Sequence, residues 1–281
     1  MHISKKDKTE KKIMIGAIAG DIIGSLYEWN NIKSKEFDLF NPHSFFTDDT
    51  VMTIAVGLAL TECKGKYDKL SERVIEYMKM LGQKHPHAGY GGHFGMWLIS
   101  ADPQPYNSYG NGAAMRISPV AYFADTIDDV KKLSYAVTSV SHNHPEGIKG
   151  AEATAVAIFL ALQGKTKEEI KDYIVKNYYP LEFTLDEIRP TYTFDVSCQG
   201  SVPQALEAFF ESNDFEDAIR NAISIGGDSD TIAAITGGIA EAYYGVSDEI
   251  KHFVGEKLGA ALRMCLAKTE KAISRRSKLN E

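Results

Sequence analysis

Gly226-Gly227-Asp228-Ser229-Asp230-Thr231 sets two carboxylates and a hydroxyl at the start of the helical pattern Thr231-Ile232-Ala233-Ala234-Ile235. Far upstream, Thr47-Asp48-Asp49-Thr50 does the same just ahead of Val51, Met52, Ile54, Ala55 and Leu58. Asp, Ser and Thr cap helices, and acids in a first turn complement the positive end of the helix dipole, so either stretch alone reads as a helix start. A cap needs one Asp, however, and each stretch carries two among small, apolar neighbours. If the two helix starts meet, four carboxylates share a small volume. Each like-charged pair about 4 Å apart costs on the order of 4 kcal/mol at an effective dielectric of roughly 20. Several such pairs rival the roughly 5–15 kcal/mol that holds a whole domain together. A positive charge must sit between them. Oxygen-only ligands suit a hard divalent cation such as Mg²⁺ or Mn²⁺, and four carboxylates are enough for two ions.

The rest of the chain is compatible with a helical frame for that nest. Its 281 residues are 44% hydrophobic and 25% charged, ordinary for a soluble globular protein with a large core. A net charge of −7 argues against broad nucleic-acid binding or an anionic membrane surface. Cys63, Cys198 and Cys265 lie far apart without CxxC spacing, which reads as reduced thiols rather than a disulfide framework or a thiolate zinc site. The lysines from Lys5 to Lys12 precede an apolar run that Asp21 interrupts, with no small-residue cleavage site after it. No stretch approaches the roughly 20 uninterrupted apolar residues that cross a bilayer. The expectation is a cytoplasmic protein.

Outward from the two acidic turns, residues 13–27 read as a helix with Gly16, Gly20 and Gly24 in one bare stripe. Gly costs about 1 kcal/mol against Ala inside a helix, so three on one face imply the close approach of another helix. Asp21 beside the stripe suggests a polar site nearby, and Glu28 ends the segment. Helical periods recur over 51–62, 71–81, 128–140, 146–162, 166–176, 215–224 and 231–244, and a final one runs from 248 to about 267. A Gly/His loop is expected over 83–95, and a long loop or short strand over 178–200. Pro203 suits the first turn of the next helix. Tyr109-Gly110-Asn111-Gly112 is a glycine turn feeding Ala113-Ala114-Met115-Arg116; its free backbone N–H groups favour an anion such as a phosphate. Taken alone, it reads better as an Asn-Gly turn with Arg116 in a surface ion pair. Of His142 and His144, one ring is expected to bond locally and the other to line a site. No repeat or linker divides the chain. We expect one all-α domain over residues 1–281, about ten helices around a binuclear metal centre, with residues 1–11 and 268–281 as flexible or peripheral ends.

Five motifs in order carry a resemblance: Gly16-Ala17-Ile18-Ala19-Gly20-Asp21-Ile22-Ile23-Gly24, Thr47-Asp48-Asp49-Thr50, Gly110-Asn111-Gly112-Ala113-Ala114-Met115-Arg116, Ser141-His142-Asn143-His144-Pro145 and Gly226-Gly227-Asp228-Ser229-Asp230-Thr231. Together they resemble the ADP-ribosylglycohydrolase family. The resemblance implies an all-α fold around two divalent cations, Mg²⁺ or Mn²⁺, and hydrolytic removal of ADP-ribose from a modified protein or a small conjugate. It assigns Thr47, Asp48, Asp49, Asp228, Asp230 and Thr231 as metal ligands. Tyr109, Gly110, Asn111, Gly112 and Ala113 would cradle the phosphates and distal ribose, with Met115 and His144 lining the pocket. Glu28 and Asp49 would act in catalysis. Within Gly89 to Gly95 no aspartate matches the one implicated in some arginine-directed members, so the acceptor stays open. A non-catalytic ADP-ribose binder is the alternative, against which the complete acidic set speaks.

Overall fold

A computed structural model describes residues 14–279; the peripheral end expected over residues 1–11 and the lysine-rich run lie outside the described residues. In order, the helices are α1 (Gly16–Gly24), α2 (Asp48–Cys63), α3 (Leu70–Lys84), α4 (Gly92–Ile99), α5 (Gly112–Met115), α6 (Pro119–Phe123), α7 (Ile127–Thr138) and α8 (Pro145–Leu162). They continue as α9 (Lys167–Asn177), α10 (Leu185–Ile188), α11 (Cys198–Phe210), α12 (Phe215–Ser224), α13 (Ser229–Tyr244), α14 (Asp248–Lys257) and α15 (Ala260–Leu279). No β-strand occurs among the described residues, and an isolated antiparallel bridge joins Gly110 to Ser197. None of the described helices is long and apolar enough to cross a membrane.

Helix α13 is the axis. Every residue from Ser229 to Glu241 is buried, and so is every residue of α1. A helix covered on all sides needs no polar face, which is why both read as apolar and small-residue throughout. The two run antiparallel in close contact along the glycine stripe. A Cβ on Gly16 would lie 2.3 Å from the Gly237 carbonyl oxygen, one on Gly20 2.0 Å from that of Ala233, and one on Gly24 2.6 Å from the Asp230 Cα. The stripe is therefore a backbone-to-backbone seam, and its Gly24 end sets the C-terminus of α1 against the first turn of α13. At the other end, Glu241 of α13 caps α1. Its carboxylate accepts from the backbone N–H of Ile15 (3.0 Å) and Gly16 (2.7 Å), in place of the side-chain cap that Ile15 cannot supply. Peripheral helices keep the ordinary one-sided pattern: Leu70, Val74, Met78 and Leu81 bury one face of α3.

Several expectations fail for local reasons. The segment from 268 onward is helix to Leu279, with Thr269 and Ile273 buried and Lys268 and Arg276 paired to Glu62 and Asp125, so its charges clothe the outer face of a packed helix. The expected final helix is two, broken at Leu258-Gly259. Gly92 to Gly95 open α4 instead of closing a loop. Pro203 sits inside α11, because the Ser197 hydroxyl accepts from Gly200 N–H and starts that helix several residues early. Residues 178–197 are the expected long loop, interrupted by one helical turn, α10, and without a strand.

Candidate metal centre

The starts of α2 and α13 meet at the C-terminal end of α1. Thr47 caps α2, its hydroxyl accepting from Asp49 N–H (3.4 Å). From α1, the fully buried Asp21 grips this turn. It accepts from Thr47 N–H (3.0 Å), the Thr47 hydroxyl (2.7 Å), Thr50 N–H (3.0 Å) and the Thr50 hydroxyl. The second acidic turn needs two consecutive left-handed residues, Gly226 (φ +70°) and Gly227 (φ +79°), and at Gly227 a Cβ would collide with the Tyr192 ring at 2.3 Å. Asn31, just beyond Glu28, locks that turn by accepting from Gly227 N–H (2.7 Å) and donating to its carbonyl (2.8 Å). Across the junction the Thr231 hydroxyl donates to Asp49 Oδ2 (3.2 Å), so the two distant turns touch directly.

Carboxylate oxygens of Asp21, Asp49 and Asp230 lie within 4.8 Å of one another, as do those of Glu28, Asp228 and Asp230. Asp230 belongs to both groups; Asp48 lines the same cavity outside them. Burial first, then mutual repulsion, pushes the carboxyls up: Asp49 and Asp230 well above the usual range, Asp48 to about 8 and Glu28 to about 7. Asp49 Oδ1 and Asp230 Oδ1 are buried with no hydrogen-bond partner. Native proteins seldom leave a buried carboxylate oxygen unpartnered. An all-oxygen donor set with orphaned oxygens and self-repelling charge fits hard divalent cations.

The acidic groups form one wall of a cavity of about 400 Å³, and Gly110, Asn111, Gly112 and Met115 line it as well. Asn111 ties the two walls together: its side-chain amide donates to Asp228 Oδ2 (2.7 Å) and to Ser201 Oγ (3.0 Å), while its N–H bonds the Val196 carbonyl (2.7 Å). Thr47, Ala113, Tyr109 and His144 are not among the lining residues. The expected roles of the two histidines are exchanged. His144 caps α8, its Nδ1 accepting from Glu146 N–H (3.1 Å), and packs edge-on to Tyr109, whereas His142 lines the cavity. Arg116 is fully buried, not at the surface, and makes no ion pair among the described residues. Spacing showed two histidines but not which ring turns inward. Asp21 carried a signal, an acid beside a glycine stripe. Phe194 carried none; it stacks on the exposed Trp29 at 5.1 Å and 24° on the cavity rim next to Glu28.

The model of the ADP-ribosylglycohydrolase family matches residues 5–276. The chain is 26% identical to ADP-ribosylhydrolase ARH3 of Mus musculus over an alignment 311 positions long, covering 83% of each, and similarly to that of Homo sapiens. It is 32% identical over 158 residues to ADP-ribosylarginine hydrolase Tri1 of Pseudomonas putida (strain GB-1), covering 54% of this chain and 42% of that one. Among solved structures, an ADP-ribosylglycohydrolase-related protein complex shares the fold, with a TM-score of 0.67 at 22% identity over 93% of this chain and 95% of that one.

Proposed function

Since the chain belongs to the ADP-ribosylglycohydrolase family, we propose that it hydrolyses the glycosidic bond between ADP-ribose and a modified acceptor, a protein side chain or a small conjugate. The observation that carries this reading is the pair of carboxylate groups sharing Asp230, with orphaned oxygens on Asp49 and Asp230, on the wall of a cavity that also holds a glycine turn. Two groups joined by one carboxylate suit two adjacent cations, Mg²⁺ or Mn²⁺, with Asp49, Asp228, Asp230 and Thr231 as the inner ligands and Asp48 and Thr47 beside them. When bound, the cations supply Lewis acidity and fix the vicinal hydroxyls of the ribose.

The protein groups divide the remaining work. Asp21 has its oxygens taken up by Thr47 and Thr50, so it holds the α2 turn in place. Asn111 orients Asp228 and joins the acidic wall to the phosphate-binding turn. Glu28 is half-buried beside Asp228 and Asp230, its carboxyl raised by burial and by its acidic neighbours, and it stands where it can give and take a proton. It can protonate the departing acceptor atom and then deprotonate the incoming water as the bond from the anomeric carbon breaks. The Trp29–Phe194 pair stands on the open side, where the acceptor would lie. Three free thiols fit a reducing compartment, so we place the protein in the cytoplasm. The family match spans nearly the whole chain, consistent with one working unit.

The test is a hydrolysis panel of arginine-linked, serine-linked and nucleic-acid-linked ADP-ribose with Mg²⁺ or Mn²⁺. Release of intact ADP-ribose from any arm supports the reading and names the acceptor. AMP as product would mean attack on the pyrophosphate, and tight binding without turnover would mean a binder; either outcome refutes it.

A further inference from the structure

Behind the glycine turn lies a polar relay that the acidic centre does not use. Arg116 Nη2 donates to Ser141 Oγ at 2.7 Å and lies 3.4 Å from His142 Nδ1, while the guanidinium rests 5.2 Å from the centre of the Phe94 ring. Its Nε and Nη1 are buried without partners. A guanidinium has donors only, so the serine oxygen and the ring nitrogen in front of it must accept. Having accepted from Arg116, Ser141 Oγ still carries its own hydrogen, and His142 Nδ1 is 2.8 Å away to receive it. Nδ1 is thus held as an acceptor. In a neutral imidazole the proton then resides on Nε2. Burial and the neighbouring Arg116 charge lower the tendency of His142 to take a second proton.

His142 is only 5% exposed, and its Nε2 makes no hydrogen bond among the described residues. That nitrogen faces the glycine turn: a Cβ added to Gly112 would lie 3.4 Å from it, and one on Gly110 3.5 Å. All three residues line the cavity. The missing side chains leave room beside a ring N–H that lines the cavity with no hydrogen-bond partner among the described residues.

We propose that Arg116, acting directly and through Ser141, is a positioning residue that holds His142 as the Nε2–H tautomer, so that the ring offers a neutral donor to a phosphate oxygen resting on the Gly110-Asn111-Gly112 turn. Placement at one remove has a physical reason. Arg116 lines the cavity too, yet it makes no ion pair with Asp48 or Asp228 among the described residues, so it does not compete with the cations there. Bonded to the Ser141 hydroxyl and set against a neutral ring, its charge polarises the donor and only attracts Asp48 at longer range. The proposal rests on the functional reading above for the identity of the phosphate.

Nitrogen NMR of ¹⁵N-histidine-labelled protein reads the tautomer without substrate, and calorimetry with ADP-ribose and separately with Mn²⁺ reads binding. Wild type should show the Nε2–H form. Arg116→Met should move the ring toward the Nδ1–H form and weaken ADP-ribose about tenfold, roughly the loss of one hydrogen bond to an anion, with Mn²⁺ affinity unchanged. Arg116→Lys, which keeps a donor, should restore the tautomer. Should Arg116→Met not fold, Ser141→Ala serves: it removes the nearer donor to Nδ1 and should shift the tautomer in the same direction. An Nδ1–H ring in wild type, or a ring indifferent to both variants, overturns the relay even if ADP-ribose binds. A wild-type Nε2–H ring in a protein that binds no ADP-ribose instead overturns the functional reading, and with it the phosphate as the ring's ligand.

Discussion

Asp49 is fully enclosed, one of its oxygens is without a partner, and three other carboxylates raise its pKa. Its charge is tolerable only with a cation nearby. Asp49→Asn keeps the shape and removes the charge, so its melting temperature in EDTA should exceed that of wild type, while its gain on adding Mn²⁺ should shrink; thermal melts in both conditions check this. Asp49→Ala should abolish turnover in a protein that still gives a native circular dichroism spectrum, and metal-dependent turnover in that variant would refute the assignment. The same charges set the pH response. Glu28 is raised from 4.5 to about 7 and Asp48 from 3.8 to about 8. A carboxyl raised in the fold favours folding while protonated, and that advantage is lost as pH climbs through the folded value. Metal-free protein should therefore lose stability from about pH 4 to about pH 8. Cations bind the deprotonated form, so Mn²⁺ should bind more tightly as pH rises over the same window, releasing protons that calorimetry in buffers of different ionisation enthalpy can count.

Between elements, the seam of α1 on α13 is the contact most sensitive to small changes. At Gly20 a methyl would meet the Ala233 carbonyl at 2.0 Å, and backbone on both sides leaves nothing flexible to move. Gly20→Ala should cost about 3 kcal/mol, the upper part of the usual overpacking range, and denaturant titration would show it. It should also weaken cation binding, because the same displacement draws Asp21 away from Thr47 and Thr50. This much was legible in the chain itself: three glycines on one face imply a close partner, and two acidic helix starts imply a meeting point. Other features were not, because they depend on which way a side chain turns once neighbours are in place. Two histidines one residue apart are equivalent on paper, yet backbone direction turns His144 onto the cap of α8 and His142 inward. Arg116 reads as a surface residue until Phe94 and Ser141 enclose it. Pro203 reads as a first-turn residue unless Ser197 is recognised as the cap. The basic segment after Lys268 reads as a flexible or peripheral end because its buried residues, Thr269 and Ile273, are few among charges.

At the scale of the molecule, one cluster joins the first, second and thirteenth helices, so cation loading should be felt well beyond the cavity. A ligand that binds only the folded state at about 100 times its Kd adds about 2.7 kcal/mol. Mn²⁺ or Mg²⁺ should accordingly slow hydrogen exchange along the whole of α1 and the first turns of α2 and α13, while the outer helices α9 and α14 change little. Protection confined to the acidic turns alone would show that the seam does not transmit the load.

The separation of the two turns along the chain has a consequence for biosynthesis. Asp49 and the Thr231 that bonds it are 182 positions apart. At roughly 5–20 residues added per second, a ribosome takes roughly ten to forty seconds to make the second after the first. Throughout that interval the nascent polypeptide carries an apolar N-terminal helix without its main partner, α13, and an acidic turn with half its ligands, a segment suited to a holding chaperone until the late helix emerges.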